Sequence, residues 1–97
     1  MKKLSKEQIE ALKKKHGEIF EVEVDDKVCY LKRPTRKALS LAAAQVQRDP
    51  LKYNEVILAN CWVDGDEEIK TEDAYFLGVS GVLDQLIEVK VAELKKL

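Results

Sequence analysis

The sequence predicts an α+β fold in which one β-hairpin packs against about four helices, the last of them long. Three observations carry this expectation. Helix-start signals stand at Ser5, Thr35, Asp49 and Thr71, each followed by apolar residues at helical spacing. Between Glu18 and Arg33 the hydrophobic period changes to two, which is the period of a strand. The composition, 45% hydrophobic and 36% charged, is too apolar for a disordered chain and describes a folded domain with a heavily charged exterior. At 97 residues the chain has material for one core, so residues 1–97 read as a single domain.

The first helix is expected over residues 6–16. Ser5 is its N-cap, Gln8 completes a capping box, Leu4 staples onto Ile9, and Gly17 is the left-handed stop. The hairpin follows over residues 18–33, with Phe20, Val22 and Val24 on one face and Glu21 and Glu23 on the other. A loop at Asp26 and Lys27 sets Val24 against Cys29, Val22 against Leu31, Glu21 against Lys32 and Glu23 against Tyr30, giving an apolar face and a charge-paired face. No Asn-Gly or Asp-Gly pair marks a tight turn, so a longer loop with shifted ends stays open. Two strands are not stable alone in water, and this pair must rest on helices or join a partner's sheet.

Pro34 ends the second strand, and Thr35 caps a helix over residues 36–48 that carries Leu39, Ala42, Ala43 and Val46 on one side. Asp49 and Pro50 close it and open the next helix, residues 50–62, because proline in a first helical turn lacks only an N–H that has no partner there. An acidic loop from Asp64 to Glu68 leads to Thr71, the expected cap of a last helix over residues 72–96. Its apolar residues form two adjacent lines, wider than one small core requires. Gly78, Ser80 and Gly81 interrupt it at about 1 kcal/mol per glycine, which implies close packing over the small residues or a bend. The distal half, with Leu83, Ile87, Val91 and Leu94, is then the expected contact with another subunit or partner, and a homo-oligomer is expected.

Charge and residue types exclude several functions. Seventeen basic against eighteen acidic residues leave a formal charge of −1, so no global field draws the chain to nucleic acid or membrane. Neither a secretory leader nor an apolar run of roughly 18 residues is present, and the expected location is the cytoplasm. Cys29 and Cys61 lie far apart among apolar neighbours, as buried reduced thiols do. His16, the single histidine, sits at a helix C-terminus, where partial positive charge is favoured, and no neighbouring motif makes it a catalytic base. Asp64, Asp66 and Glu68 have the alternate spacing of a calcium loop, but its sixth position is Ile69 instead of Gly and its twelfth is Tyr75 instead of Glu. That segment reads as a solvated acidic loop, and two cysteines with one histidine are too few for structural zinc. No cofactor, metal or catalytic residue is expected. Lys32, Arg33, Arg36 and Lys37 form a basic cluster at the strand–helix junction, fit for an acidic partner surface or phosphate. The alternative function, a small nucleic-acid-binding regulator using residues 32–37, rests on it but lacks interleaved aromatics or a reading helix. A third reading is an enzyme subunit whose site a partner chain completes.

The order of elements resembles the tail assembly chaperones of long-tailed bacteriophages and prophages. The resemblance covers most of residues 18–90: a charged hairpin, Tyr-Leu-Lys-Arg-Pro-Thr from Tyr30 to Thr35, an alanine-rich helix, Asp49-Pro50, a further helix, and an acidic Gly-containing loop before the last helix. The Pro34-Thr35 junction and the stretch from Cys61 to Phe76 carry most of it. It implies a non-enzymatic protein of the bacterial host cytoplasm that coats the tape measure protein, keeps it soluble and recruits tail tube subunits. No site residue carries over, because the family has no motif position that fixes one.

Overall fold

The computed structural model describes residues 3–97 and is α+β: a three-stranded antiparallel sheet with five helices. Helix α1, Lys6–His16, forms as its caps dictate. The Gln8 N–H donates to Ser5 Oγ at 3.2 Å, the Ser5 N–H donates to Gln8 Oε1 at 2.8 Å, and Gly17 ends the helix at φ 85°. Strands β1, Ile19–Val24, and β2, Lys27–Lys32, make the expected hairpin with a different register. Val24 faces Lys27, Val22 faces Cys29, Glu21 faces Tyr30 and Phe20 faces Leu31. The turn closes at Asp25–Asp26, with Asp25 in the left-handed region at φ 56°, a conformation Asp tolerates better than most residues. The shift is two residues, so every side chain keeps its face, and amphipathic alternation does not distinguish the two registers.

The second face of β2 is not a charge-paired solvent face. Val28 and Tyr30 are buried like Cys29 and Leu31, which makes β2 the apolar central strand. The Tyr30 hydroxyl accepts from the Leu4 N–H at 2.9 Å and donates to Glu21 Oε1 at 2.8 Å, tying the segment before α1 onto the hairpin.

Helix α2, Arg36–Ala43, is capped by Thr35 as expected but is shorter than residues 36–48. Past Ala43 the chain tightens into three-residue turns, Gln45 N–H to Ala42 O and Val46 N–H to Ala43 O, instead of continuing the α pattern. Helix α3, Pro50–Cys61, starts where Asp49 caps the Leu51 N–H at 3.1 Å. It ends one residue early because Trp62 is already extended and opens β3, Trp62–Gly65, a strand not expected from the sequence. β3 pairs antiparallel with β2, giving the order β1-β2-β3.

The long helix expected over residues 72–96 is not formed. In its place stand α4, Glu68–Thr71, then α5, Asp73–Ser80, then a 3₁₀ turn, Leu83–Leu86, and residues 87–97 have no regular structure. Thr71 is the last residue of α4, not a cap, and the residue before α5, Glu72, makes no side-chain capping bond. The glycine-rich stretch is the stop. Gly78 lies against β1, where a Cβ would meet Val24 Cγ1 at 3.0 Å, and Ser80 Oγ donates back to Phe76 O at 2.8 Å. The core joins Cys29 and Leu31 of β2 to Ile57, Leu58 and Cys61 of α3, Ile69 of α4, Val79 of α5, and Leu83 and Leu86 of the 3₁₀ turn. Helices α3 and α4 thus pack against β2, and α1 and α5 against β1.

Candidate protein-binding surface

The eight residues expected to bind partners separate into three environments. Leu83 is core, only 2% exposed, because the 3₁₀ turn folds it under α3 instead of displaying it along a helix. Ile87 is half-buried and lines a cleft of about 290 Å³ with Tyr53, Asn54, Ile57 and Asp84. Val91 and Leu94 are 98% and 99% exposed, in line with Val89 at 76%, and Leu97 is fully exposed beyond them. The sequence placed this apolar surplus on a helix face, whereas it lies on an irregular arm that leaves the body. The molecule spans 55 × 34 × 20 Å with a radius of gyration of 15.2 Å. A compact chain of this length would have about 12.5 Å.

The basic cluster is divided as well. Arg33 is committed internally: its Nε and Nη2 reach Glu18 Oε2 at 2.9 and 2.7 Å, and its Nη1 donates to Leu86 O at 2.9 Å. Its Nε also lies 3.5 Å from Glu88, and its guanidinium stacks 4.8 Å over the Phe20 ring. Arg33 therefore fastens the root of the C-terminal arm to the start of β1. Lys32 ends β2 half-buried. Arg36 and Lys37 are exposed in the first turn of α2 and, among the described residues, make no ion pair.

A second open feature lies along β1. Val24 and Lys27 close a two-residue hairpin, so Val24, Val22 and Phe20 exchange hydrogen bonds with β2, and Ile19, Glu21 and Glu23 turn their N–H and C=O groups to the free edge. A cleft of about 360 Å³ follows this edge, lined by Phe20, Val22 and Glu23 on one side and by Val82, Gln85 and Leu86 on the other. Lys3 pairs with both Glu21 and Glu23 on the outer face. These ion pairs, hydrogen-bonded Lys3–Glu23 foremost, raise the Lys3 pKa and lower that of Glu23.

The acidic stretch is solvated as expected at Asp64, Glu67 and Glu68, but it is divided between β3 and α4 and buries Asp66. Asp64 lies in β3 and its Oδ1 accepts the Gly65 N–H at 2.8 Å. Asp66 is buried, its Oδ2 accepting the Val28 N–H at 2.9 Å while its own N–H donates to Val28 O at 2.9 Å. Glu68 opens α4, and among the described residues no group of three or more His, Cys, Asp or Glu is gathered to hold a metal. Cys29 and Cys61 are buried free thiols, pushed up to about 12 and about 11 by loss of solvent around the thiolate. Both are thereby poor nucleophiles. No helix among the described residues is long and apolar enough to cross a membrane. No family model, curated protein or solved structure matches the chain.

The arm's strand-like pattern was missed from the sequence, and the open β1 edge was foreseen only as the alternative in which the hairpin joins a partner's sheet. Ile87-Glu88-Val89-Lys90-Val91 alternates with period two, a signal hidden by its equal fit to the wide helical stripe.

Proposed function

We propose that the chain is a non-enzymatic, protein-binding assembly factor of the bacterial host cytoplasm, acting as a tail assembly chaperone that keeps a tape measure protein soluble and recruits tail tube subunits. The observation that carries this reading is the exposed apolar arm, with Val89 at 76%, Val91 at 98% and Leu94 at 99% exposed on a segment rooted in a folded body. Burying Val89, Val91, Leu94 and Leu97 on a client contributes about 1.5–3 kcal/mol each. Ordering the arm's backbone costs about 1–2 kcal/mol per residue. Over the eleven residues 87–97 the ordering cost, about 11–22 kcal/mol, exceeds the gain of about 6–12, so the arm engages only clients that add further apolar area or backbone hydrogen bonds, and it lets go readily. That balance suits a transient holder of long, aggregation-prone helices better than a permanent subunit. The choice of client rests on the resemblance of the layout from Tyr30 to Phe76 to the tail assembly chaperones.

The test is co-expression with an aggregation-prone tape measure protein. The full chain raises the client's soluble fraction, and a variant with Val89, Val91, Leu94 and Leu97 changed to Ser does not. A client equally insoluble with and without the chain overturns the proposal.

A further inference from the structure

We propose that the strand-patterned start of the arm, residues 87–91, pairs with the open β1 edge of a second copy, so that two chains exchange arms. The inference stands apart from client binding, because it concerns the chain alone.

Three observations converge on it. First, β1 presents the outward N–H and C=O groups of Ile19, Glu21 and Glu23, and among the described residues no backbone hydrogen bond from outside the hairpin reaches them. An open strand edge is a template for another strand. Second, the cleft along that edge has an apolar floor of Phe20, Val22, Val82 and Leu86, matching one side of an incoming strand whose Val89 and Val91 are exposed, while Ile87 at its root stays seated in its own chain's cleft. Glu88 and Lys90 then fall on the outer side as an ion pair of their own, which adds no net charge to the face where Lys3 pairs with Glu21 and Glu23.

Third, the geometry selects a second copy as occupant. Each chain carries both an open edge and a strand-patterned segment without regular structure, and its own arm does not fill its own cleft, since Val91 and Leu94 are almost wholly exposed. The arm's root, Leu86, is itself a wall of the cleft and is held there by Arg33. Donor and acceptor are therefore adjacent, so one two-fold axis beside the cleft satisfies both exchanges at once, in an interface that closes on itself.

The experiment uses the purified full chain in sedimentation equilibrium across the micromolar range, together with amide hydrogen exchange. A dimer is expected, with the Ile19, Glu21 and Glu23 amides protected at dimer-forming concentrations. Val89→Pro removes a donor and breaks the strand at its middle, in a segment outside the folded core, and weakens dimerisation by about tenfold or more while exposing those three amides. A monomer throughout the range overturns the proposal, as does a dimer unchanged by Val89→Pro. Concentration-independent protection of the three amides in a monomer also overturns it, and identifies the chain's own arm as the occupant. Client solubilisation without dimerisation would leave the assembly-factor reading standing and remove this one.

Discussion

Gly65→Ala tests the packing of β3 against the central strand. Gly65 stands at φ 152°, and a Cβ there would lie 2.6 Å from both Cα and Cβ of Cys29 and 2.9 Å from Val28 O. Carbon atoms in ordinary contact are about 3.5–4.0 Å apart, so relief requires a shift of about 1 Å. The obstructing atoms belong to β2, which is paired on both sides, and Cys29 is fully buried, so the backbone has nowhere to withdraw. Overpacking of this kind costs about 1–3 kcal/mol, and holding a non-glycine residue at such a φ costs about 1–3 more. A loss of about 2–6 kcal/mol follows, against a total stability of about 5–15 for a domain of this size. With a urea m-value of about 1.5 kcal/mol/M, the unfolding midpoint should fall by about 1.3–4 M, read by far-ultraviolet circular dichroism. Gly17→Ala is the control. It also has positive φ, at 85°, but nothing lies within 4 Å of the added carbon, and only about 1–2 kcal/mol should be lost. Equal midpoints for the two variants, or a fall below about 0.5 M for Gly65→Ala, would refute the argument from close approach.

Three further outcomes are expected. Tyr30→Phe removes the hydroxyl shared by the Leu4 N–H and Glu21, costing about 1–2 kcal/mol and speeding exchange at the Leu4 amide, and an unchanged Leu4 exchange rate would contradict the tie drawn between that segment and the hairpin. The thiols carry a pH dependence. Their folded values, about 12 for Cys29 and about 11 for Cys61, lie above the ordinary 9.0, so the neutral form is favoured in the folded state. Stability from this source is complete below pH 9 and falls as pH rises toward 11 and 12, seen as a declining urea midpoint over that window. At neutral pH neither thiol should react with an alkylating reagent until the chain unfolds, and rapid labelling of the folded protein would show that the burial is wrong.

The sequence was most legible where local chemistry decides structure. Ser5, Gln8 and Gly17 bound α1 because a capping box and a left-handed stop need nothing from the rest of the chain. Thr35, Asp49 and Pro50 acted as expected for the same reason. Legibility failed where distant residues decide. The hairpin register depends on the turn at Asp25 and on the Glu21–Tyr30 hydrogen bond, neither of which alters the alternation of faces. β3 is only four residues long and continues the apolar run of α3, so its strand character comes from pairing with β2. The last helix failed because Gly78 and Gly81 were read as interruptions of a helix instead of its end, and because residues 87–91 satisfy both periods. For the candidate surface, the apolar residues of the arm were identifiable by type, but their exposure and the internal commitment of Arg33 required the fold.

The fastening of Leu86 by Arg33 has a mechanical consequence. Eleven residues, 87 to 97, lie beyond the anchor, and at about 3.4 Å each an extended arm reaches about 37 Å. That radius is comparable with the 34 Å breadth of the molecule. Under the proposed function, a client touched anywhere on the surrounding shell is thereafter held on a short leash, and its second contact is made at an effective concentration on the order of millimolar, not at the dilute concentration of free encounter. Loosening the Arg33 anchor would lengthen the leash and dilute that advantage without altering a single contact residue.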